Sequence, residues 1–187
     1  LIEDVTKVAT LKGAQPGDAL VLIGEPKGHM GASLYAREWL GLKGGDLGAH
    51  SPVDLEADKR HADFVRAMIE HGRVNAVHDV SDGGIACAAA EMALASGMGL
   101  ILDPPIEAGA LFGEGGGRCL IAVSGLVESG IAALKPEGVE LHEIGQFNTN
   151  DEAMLVFGAR RETLPFSRLR EAHEGWLPRY MKGVDQV

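Results

Sequence analysis

The fold of this chain is decided by the stretch His78-Asp79-Val80-Ser81-Asp82-Gly83-Gly84. A short apolar run precedes it and a long run of small residues follows it, which predicts a strand, a tight acidic turn and a helix. Two glycines at the start of a helix leave its first N–H groups uncovered by side chains, and such groups bind anions or ordered water. The alternative is that Ser81 or Asp82 caps the helix and that the glycines allow close packing.

Two more loops have the same chemical character. One is the glycine-rich loop 24–33, which follows an apolar strand predicted over 19–23 and leads into a short helix. The other is the loop 112–118, in which three consecutive glycines precede Arg118 and a strand predicted over 119–123. Backbone N–H groups in such loops can converge on one anion, and arginine binds phosphate or carboxylate through two hydrogen bonds. A plain connection and a solvated arginine are the alternatives, since the spacing matches neither the P-loop nor the dinucleotide fingerprint.

The remaining apolar patterns predict an α+β fold, a mixed β-sheet with helices packed on it. The clearest helix is amphipathic and covers residues 54–71, and we expect its His61 and His71 to be solvated at the surface. Two late strands, 139–147 and 152–157, are separated by four turn-forming residues, which predicts a hairpin. The other predicted elements are strands over 74–77 and 100–102 and helices over 34–40, 84–96, 124–135 and 165–182.

The composition indicates a globular domain with an aliphatic core. Of the 187 residues, 45% are hydrophobic but only 5% are aromatic, and 26 are glycine. We expect one domain over residues 1–158 and a helical tail over 159–187, which packs on the same domain or on a partner. The sequence begins with Leu1 rather than Met, so we expect it to be part of a longer protein.

The charge and the cysteines exclude several classes of protein. The net charge is −10 and the basic residues form no cluster, which argues against a nucleic-acid partner. The apolar runs are too short to span a membrane, so we expect no membrane partner either. Cys87 and Cys119 are isolated in apolar runs, which predicts buried free thiols in a reducing compartment and a cytoplasmic protein. No catalytic motif is present, and Glu171, His173 and Glu174 lack metal-ligand spacing, so we assign no catalytic and no metal-binding residue.

The three loops, taken together and in this order, resemble the C-terminal half-module of a synthetase superfamily. That superfamily includes aminoimidazole ribonucleotide synthetase, selenophosphate synthetase and the hydrogenase-maturation protein that dehydrates thiocarboxamides. The sequence His-Asp-Val-Ser-Asp-Gly-Gly at 78–84 is most similar to the large synthetase subunit in the phosphoribosylformylglycinamidine synthase family. The resemblance covers roughly residues 13–158. Supporting similarities are Gly24-Glu25-Pro26-Lys27, Gly31-Ala32-Ser33, Leu111-Phe112, Glu114 and Gly117-Arg118.

The resemblance implies a fold and an activity that the residues alone do not. Members of the family have two repeats, each with an N-terminal half and a C-terminal half, and the C-terminal half is a mixed sheet with packed helices. They convert formylglycinamide ribonucleotide to the amidine with ATP, Mg²⁺ and ammonia, which comes from a glutaminase subunit or domain. The reacting His and most magnesium-binding acids lie in N-terminal halves, so no catalytic residue is carried over. We therefore expect this chain to be the C-terminal half of the second repeat, with N-terminal halves and a glutaminase as its partners. We also expect the chain alone to be inactive and to bind no ATP tightly.

The resemblance also implies that the three loops form one wall of a phosphate-binding cleft between halves. The candidate residues for that wall are Gly31, Ser33, Asp79, Asp82, Gly83 and Arg118. The glycines at 115–117 depart from the more polar loop that contacts substrate in the first repeat, which favours a structural or auxiliary nucleotide role. Two alternatives are a non-catalytic assembly module, whose loops contact no ligand, and the equivalent domain of another superfamily member such as selenophosphate synthetase. The ligase interpretation requires the three loops to gather at one edge of the sheet.

Overall fold

The computed structural model describes residues 4–104, 111–125, 130–157 and 159–183. These residues form one mixed β-sheet with helices packed on it, which confirms the predicted α+β fold. The strands are β1 (Ala19–Ile23), β2 (Ala76–Asp79), β3 (Gly99–Leu102), β4 (Cys119–Val123), β5 (Leu141–Asn148), β6 (Glu152–Phe157) and β7 (Arg160–Pro165). The α-helices are α1 (Leu55–Glu70), α2 (Gly84–Ser96), α3 (Ile131–Leu134), α4 (Phe166–Glu174) and α5 (Trp176–Met181). A π-helical turn (Tyr35–Trp39) and a 3-10 turn (Gly44–Leu47) lie between β1 and α1.

The strands follow the spatial order β2-β4-β1-β5-β3-β6-β7. Neighbouring strands are antiparallel except β3 and β6, which run parallel. The strand β1 lies between β4 and β5, and all five of its side chains are at most 5% exposed. A short strand with two covered faces explains why its sequence is a continuous apolar run rather than an alternating one.

The side chains of β1 alternate between two cores, one on each face of the sheet. Leu20 and Leu22 pack in one cluster with α2, and Val21 and Ile23 pack in the other cluster with α1. Small residues on α2 let this helix approach the sheet closely. The helix residues in the two clusters include Ile85, Ala88, Ala89, Met92 and Ala93 on α2 and Phe64, Val65 and Met68 on α1.

The predicted hairpin between the two late strands is wrong. The strand β3 lies between β5 and β6, and it pairs antiparallel with β5 and parallel with β6. The turn at 148–151 therefore crosses over the start of β3 instead of joining two neighbouring strands. Gly99 allows this crossing, because a side chain there would collide with the Asn148 amide oxygen and the Asn150 backbone. The local turn signal was real, but it carried no information about which strand lies beside which.

The predicted helical tail also differs from the structure at its beginning. Residues 160–165 form the strand β7, which pairs with β6 along its whole length. The helix begins at Phe166, which is 4% exposed, and is divided into α4 and α5 at Gly175. The helix α4 contacts α2 and β7 of the same chain. The division of the chain at residue 158 stays a prediction.

Other predicted elements appear in shortened form. The helix predicted over 34–40 is a π-helical turn, and the helix predicted over 124–135 is the single turn α3, with residues 126–129 outside the described part of the chain. The helix α1 begins as predicted, because the Asp54 carboxylate accepts hydrogen bonds from the Glu56 and Ala57 amides. Among the helices that the structure describes, none has the length and apolarity needed to cross a membrane.

Candidate functional site

The sheet register brings the three loops to one edge. The strand β4 runs antiparallel to both β1 and β2, and its first residue, Cys119, is paired with Ile23 on one side and Asp79 on the other. The loop 24–33 leaves β1 at this edge, the acidic turn leaves β2 there, and the loop 112–118 enters β4 there. The predicted gathering of the three loops is therefore confirmed.

The loops touch one another through their backbones. His29 and Glu114 form an isolated antiparallel bridge with two N–H···O hydrogen bonds of 2.9 Å. Beside it, a methyl group added at Gly28 would lie 2.5 Å from the Cα atom of Gly113. Glycine is needed at both Gly28 and Gly113 because the backbones of the two loops leave no space for a side chain.

The side chain of Glu114 connects the loop 112–118 to the acidic turn 78–84. Its Oε1 atom accepts hydrogen bonds from the Leu34 amide at 2.7 Å and from the Gly83 amide at 3.0 Å. Gly83 has a φ of 76° and is the N-cap residue of α2, with no side chain to cap that helix itself. One amide at the start of α2, that of Gly83, is thus held by a carboxylate of this chain, in the place that we predicted for an external anion. The sequence analysis did not select Glu114 as a site residue.

Arg118 is buried and directed into the loops. It is 5% exposed, and its guanidinium donates to the Lys27 carbonyl at 2.6 Å and to the Gly113 carbonyl at 2.8 Å. Burial lowers the pKa of this guanidinium from its usual value. The alternative of a solvated arginine is wrong, since these contacts hold two loops together at the edge of the sheet.

His61 was predicted at the surface, and that prediction is wrong. It is 8% exposed, and its Nδ1 atom lies 2.6 Å from the carbonyl oxygen of Gly117, to which it donates a hydrogen bond. His61 precedes Phe64, Val65 and Met68 by three, four and seven residues, so it lies on the buried side of α1, where the loop 112–118 covers it. His71 is exposed as predicted, and its ring nitrogen lies 2.7 Å from the Ala67 carbonyl oxygen.

Two of the six candidate residues are engaged inside the loops. Ser33 is 0% exposed, and its hydroxyl donates to the Met30 carbonyl at 2.7 Å and accepts from the Ala36 amide at 3.1 Å. The Gly83 amide is held by Glu114, as described above. Both residues therefore stabilise the loop conformation in this structure.

The other four candidates line one cavity of about 520 Å³. Gly31 forms part of its wall, and the carbonyl oxygen of Ala49 occupies the space that a side chain at Gly31 would need. Asp79 and Asp82 are exposed in it, and Asp79 is 3.3 Å from the Nδ1 atom of His78. Arg118 is the fourth of these lining residues, and its guanidinium donates to the two carbonyls named above.

The cavity is acidic. Its lining includes the carboxylates of Asp58, Asp79, Asp82 and Glu114. Among the residues that the structure describes, however, no group of three or more His, Cys, Asp or Glu side chains is placed to hold a metal ion. A bare phosphate would meet these negative charges, and an amine or a neutral polar group fits the lining better.

The two thiols are free and half-buried. Burial, and secondarily the charge of Asp79, raises the pKa of Cys119 to about 11. Burial raises the pKa of Cys87 as well, with smaller contributions from Glu91 and Glu114. Neither cysteine therefore has the lowered pKa that is typical of a reactive thiol.

Comparison with known proteins agrees with this architecture. The family described as AIR synthase related protein, C-terminal domain, matches residues 15–156. The phosphoribosylformylglycinamidine synthase subunit PurL of Rhodopseudomonas palustris strain TIE-1 is 43% identical over 191 residues, which cover 98% of this chain and 25% of that protein. PurL of Parvibaculum lavamentivorans is 41% identical over 97% of this chain and 24% of its own length. The chain thus spans about a quarter of the length of these relatives.

Solved structures share the fold at lower identity. Thermotoga maritima PurL complexed with FGAR has a TM-score of 0.72 and 19% identity, over 88% of this chain and 30% of that one. Escherichia coli HypE, a hydrogenase maturation protein, has a TM-score of 0.58 and 24% identity, over 84% of this chain and 52% of that one. With a family match that covers most of its residues, the chain belongs to the AIR synthase related proteins, as an example of their C-terminal domain.

Proposed function

We propose that the chain works as one domain of a phosphoribosylformylglycinamidine synthase, an ATP-dependent C–N ligase of purine biosynthesis. The reaction of the complete enzyme converts formylglycinamide ribonucleotide to the amidine. The identity to PurL over nearly the whole chain supports this assignment, and it favours that enzyme over a selenophosphate synthetase. A cytoplasmic location fits the two free thiols.

The chain contributes one wall of a cleft, the other wall being an N-terminal half of the same enzyme. The observation that carries this proposal is the gathering of three loops around a cavity of about 520 Å³ with exposed carboxylates. Large apolar side chains stand exposed near the same loops, which is typical of a surface that another domain covers. They include Trp39 at 76%, Val53 at 73% and Leu55 at 74% exposure.

The residues of this chain do not fit ATP phosphates or Mg²⁺ by themselves. The loop amides of Leu34 and Gly83 are bound to Glu114, and the Arg118 guanidinium is bound to carbonyls. We propose that both cofactors are held chiefly by other parts of the enzyme. A glutaminase supplies the ammonia, and a structure of Thermotoga maritima PurLQS shares the fold of this chain with a TM-score of 0.64.

Titration calorimetry of the 187-residue chain with ATP and Mg²⁺ tests this division of roles. We expect no complex tighter than about 1 mM, because the acidic cavity and the occupied amides offer a triphosphate little to bind. A micromolar complex with this chain alone would show that the nucleotide site is assigned to the wrong half.

The contribution of the wall to catalysis is tested by Asp82→Asn in the full-length enzyme. Asp82 is exposed in the cavity, so its replacement leaves the loops folded while it removes a charge from the cleft. We expect kcat/KM to fall roughly tenfold with unchanged assembly, equivalent to about 1.4 kcal/mol. Asp151→Asn, in an exposed turn at the opposite ends of the strands from the loops, is the matched control and should retain full activity.

A second candidate function is a non-catalytic assembly module. The internal contacts of Glu114 and Arg118 favour it, since groups that could bind a ligand hold the loops instead. In that case Asp82→Asn would leave turnover unchanged, and size-exclusion chromatography of loop variants would show that the halves of the enzyme no longer associate. Lost turnover with normal assembly supports the cleft, and lost assembly supports the module.

A further inference from the structure

We infer that Glu114 is an intramolecular anion, which fills the amide site that the loops would otherwise offer to an external carboxylate or phosphate, and thereby positions all three loops. This inference concerns the loops of this chain and does not depend on the proposed function. It starts from the observation that one carboxylate oxygen accepts hydrogen bonds from amides of two different segments, Leu34 and Gly83.

The rest of Glu114 completes the connection. Its own backbone pairs with His29 through two hydrogen bonds, so the residue bridges the loop 24–33 with its main chain and the acidic turn with its side chain. Glu114 itself belongs to the loop 112–118. A single residue therefore contacts all three loops, and no comparable connection is needed from a bound ligand.

The surroundings of the Gly83 amide explain why a carboxylate belongs there. Gly83 begins α2, where the helix dipole favours negative charge, and it has no side chain to cap the helix. A larger residue is excluded, because a Cβ atom at Gly83 would lie 2.9 Å from the Cβ atom of Cys87 and still closer to its sulfur. The amide is left open to one partner from outside the helix, and Glu114 is that partner.

An attached carboxylate outcompetes a free anion. A group on the same chain acts at an effective concentration of about millimolar or above, so phosphate at ordinary concentrations does not displace it. The Leu34 and Gly83 amides therefore form a site suited to an anion, and the Glu114 carboxylate already occupies it. Removal of the Glu114 carboxylate should open it to a small carboxylate of matching chemistry.

The test is chemical rescue of Glu114→Ala in the 187-residue chain, with acetate as the probe. Without acetate, the amide proton resonances of Leu34 and Gly83 should move upfield, and Tm should fall by roughly 6–12 °C, the lower end of what two charge-assisted hydrogen bonds contribute in a chain of this size. Acetate at tens of millimolar should return both resonances saturably toward their original positions and restore part of the lost Tm. Chloride at equal ionic strength should do neither.

Glu25→Ala is the matched control, since Glu25 lies in the loop 24–33 but is exposed and pairs with Lys27 at the surface, at 3.6 Å. Acetate should not change the Tm of that variant. Equal effects of acetate and chloride on Glu114→Ala, or amide resonances that do not move on substitution, would overturn the inference. If Glu114→Ala does not fold, Glu114→Gln takes its place, since Gln keeps an acceptor oxygen but loses the negative charge, and a Tm equal to that of the wild type would overturn the inference.

Discussion

Replacement of Arg118 by Met should lower the free energy of unfolding by about 2–4 kcal/mol, because hydrogen bonds from a charged group contribute roughly 1.5–3 kcal/mol each and relief of the buried charge offsets part of that loss. The guanidinium holds the Lys27 and Gly113 carbonyls, which belong to two different loops. Met fills a similar volume but donates no hydrogen bond, so both carbonyls lose their partner. Urea denaturation monitored by circular dichroism measures the effect.

Two control variants separate the hydrogen bonds from the charge. Arg66→Met removes an arginine whose side chain is 66% exposed and paired with Asp63, and it should change the stability by about 1 kcal/mol or less. Arg118→Lys keeps the charge but loses the fork that reaches two carbonyls, and should fall between wild type and Arg118→Met. Equal losses for Arg118→Met and Arg66→Met would refute the structural role of Arg118.

Replacement of Gly84 by Ala should destabilise the chain by about 2–5 kcal/mol, since a left-handed backbone costs an alanine roughly 1–2 kcal/mol and overpacking adds roughly 1–3 kcal/mol. Gly84 has a φ of 69°, and an added methyl group would lie 2.6 Å from the Leu111 carbonyl oxygen and 2.7 Å from that of Gly113. Neither oxygen can move freely, because both are backbone atoms at the start of the loop 112–118, which Arg118 and the bridge between His29 and Glu114 hold in place.

Gly97→Ala isolates the conformational part of this cost. Gly97 has a φ of 65°, close to that of Gly84, but a methyl group there would have no neighbour within 4 Å. The difference between the two variants in urea denaturation is therefore the energy of the close contact at Gly84. If Gly84→Ala and Gly97→Ala are equally stable, the loops at the sheet edge are not tightly packed against α2.

Local sequence patterns predicted where the helices and strands lie better than they predicted which strands are neighbours in the sheet. The strands β1 and β4 and the helices α1 and α2 lie where apolar periodicity and capping residues placed them, since those signals act within a few residues. The arrangement of β3 between β5 and β6 was missed, because four turn residues look the same whether they join adjacent strands or cross over another one. Partner choice depends on packing across the whole sheet.

The candidate site shows the same limit. The loop residues and their gathering at one edge were predictable from strand–loop–helix corners of similar chemistry. The direction of each side chain was not, since Glu114 binds an amide 80 residues away at Leu34 and Arg118 binds a carbonyl 91 residues away at Lys27. Glu114 was not selected as a site residue, although a lone acid within a run of glycines was a signal that could have identified it. His61 was missed because it was judged by its polarity, although its spacing to Val65 and Met68 places it on the buried side of α1.

The order of strands in the sheet has a consequence for synthesis of the protein. Among the strands that the structure describes, β6 and β7 are the one pair of neighbours that are also consecutive in the chain. During translation the strand β1 leaves the ribosome long before β4 and β5. The apolar side chains of β1 are therefore exposed until those two neighbouring strands have been synthesised. Such non-local pairing slows folding and favours association of unfinished chains. We therefore expect chaperones to bind the unfinished chain early in its synthesis.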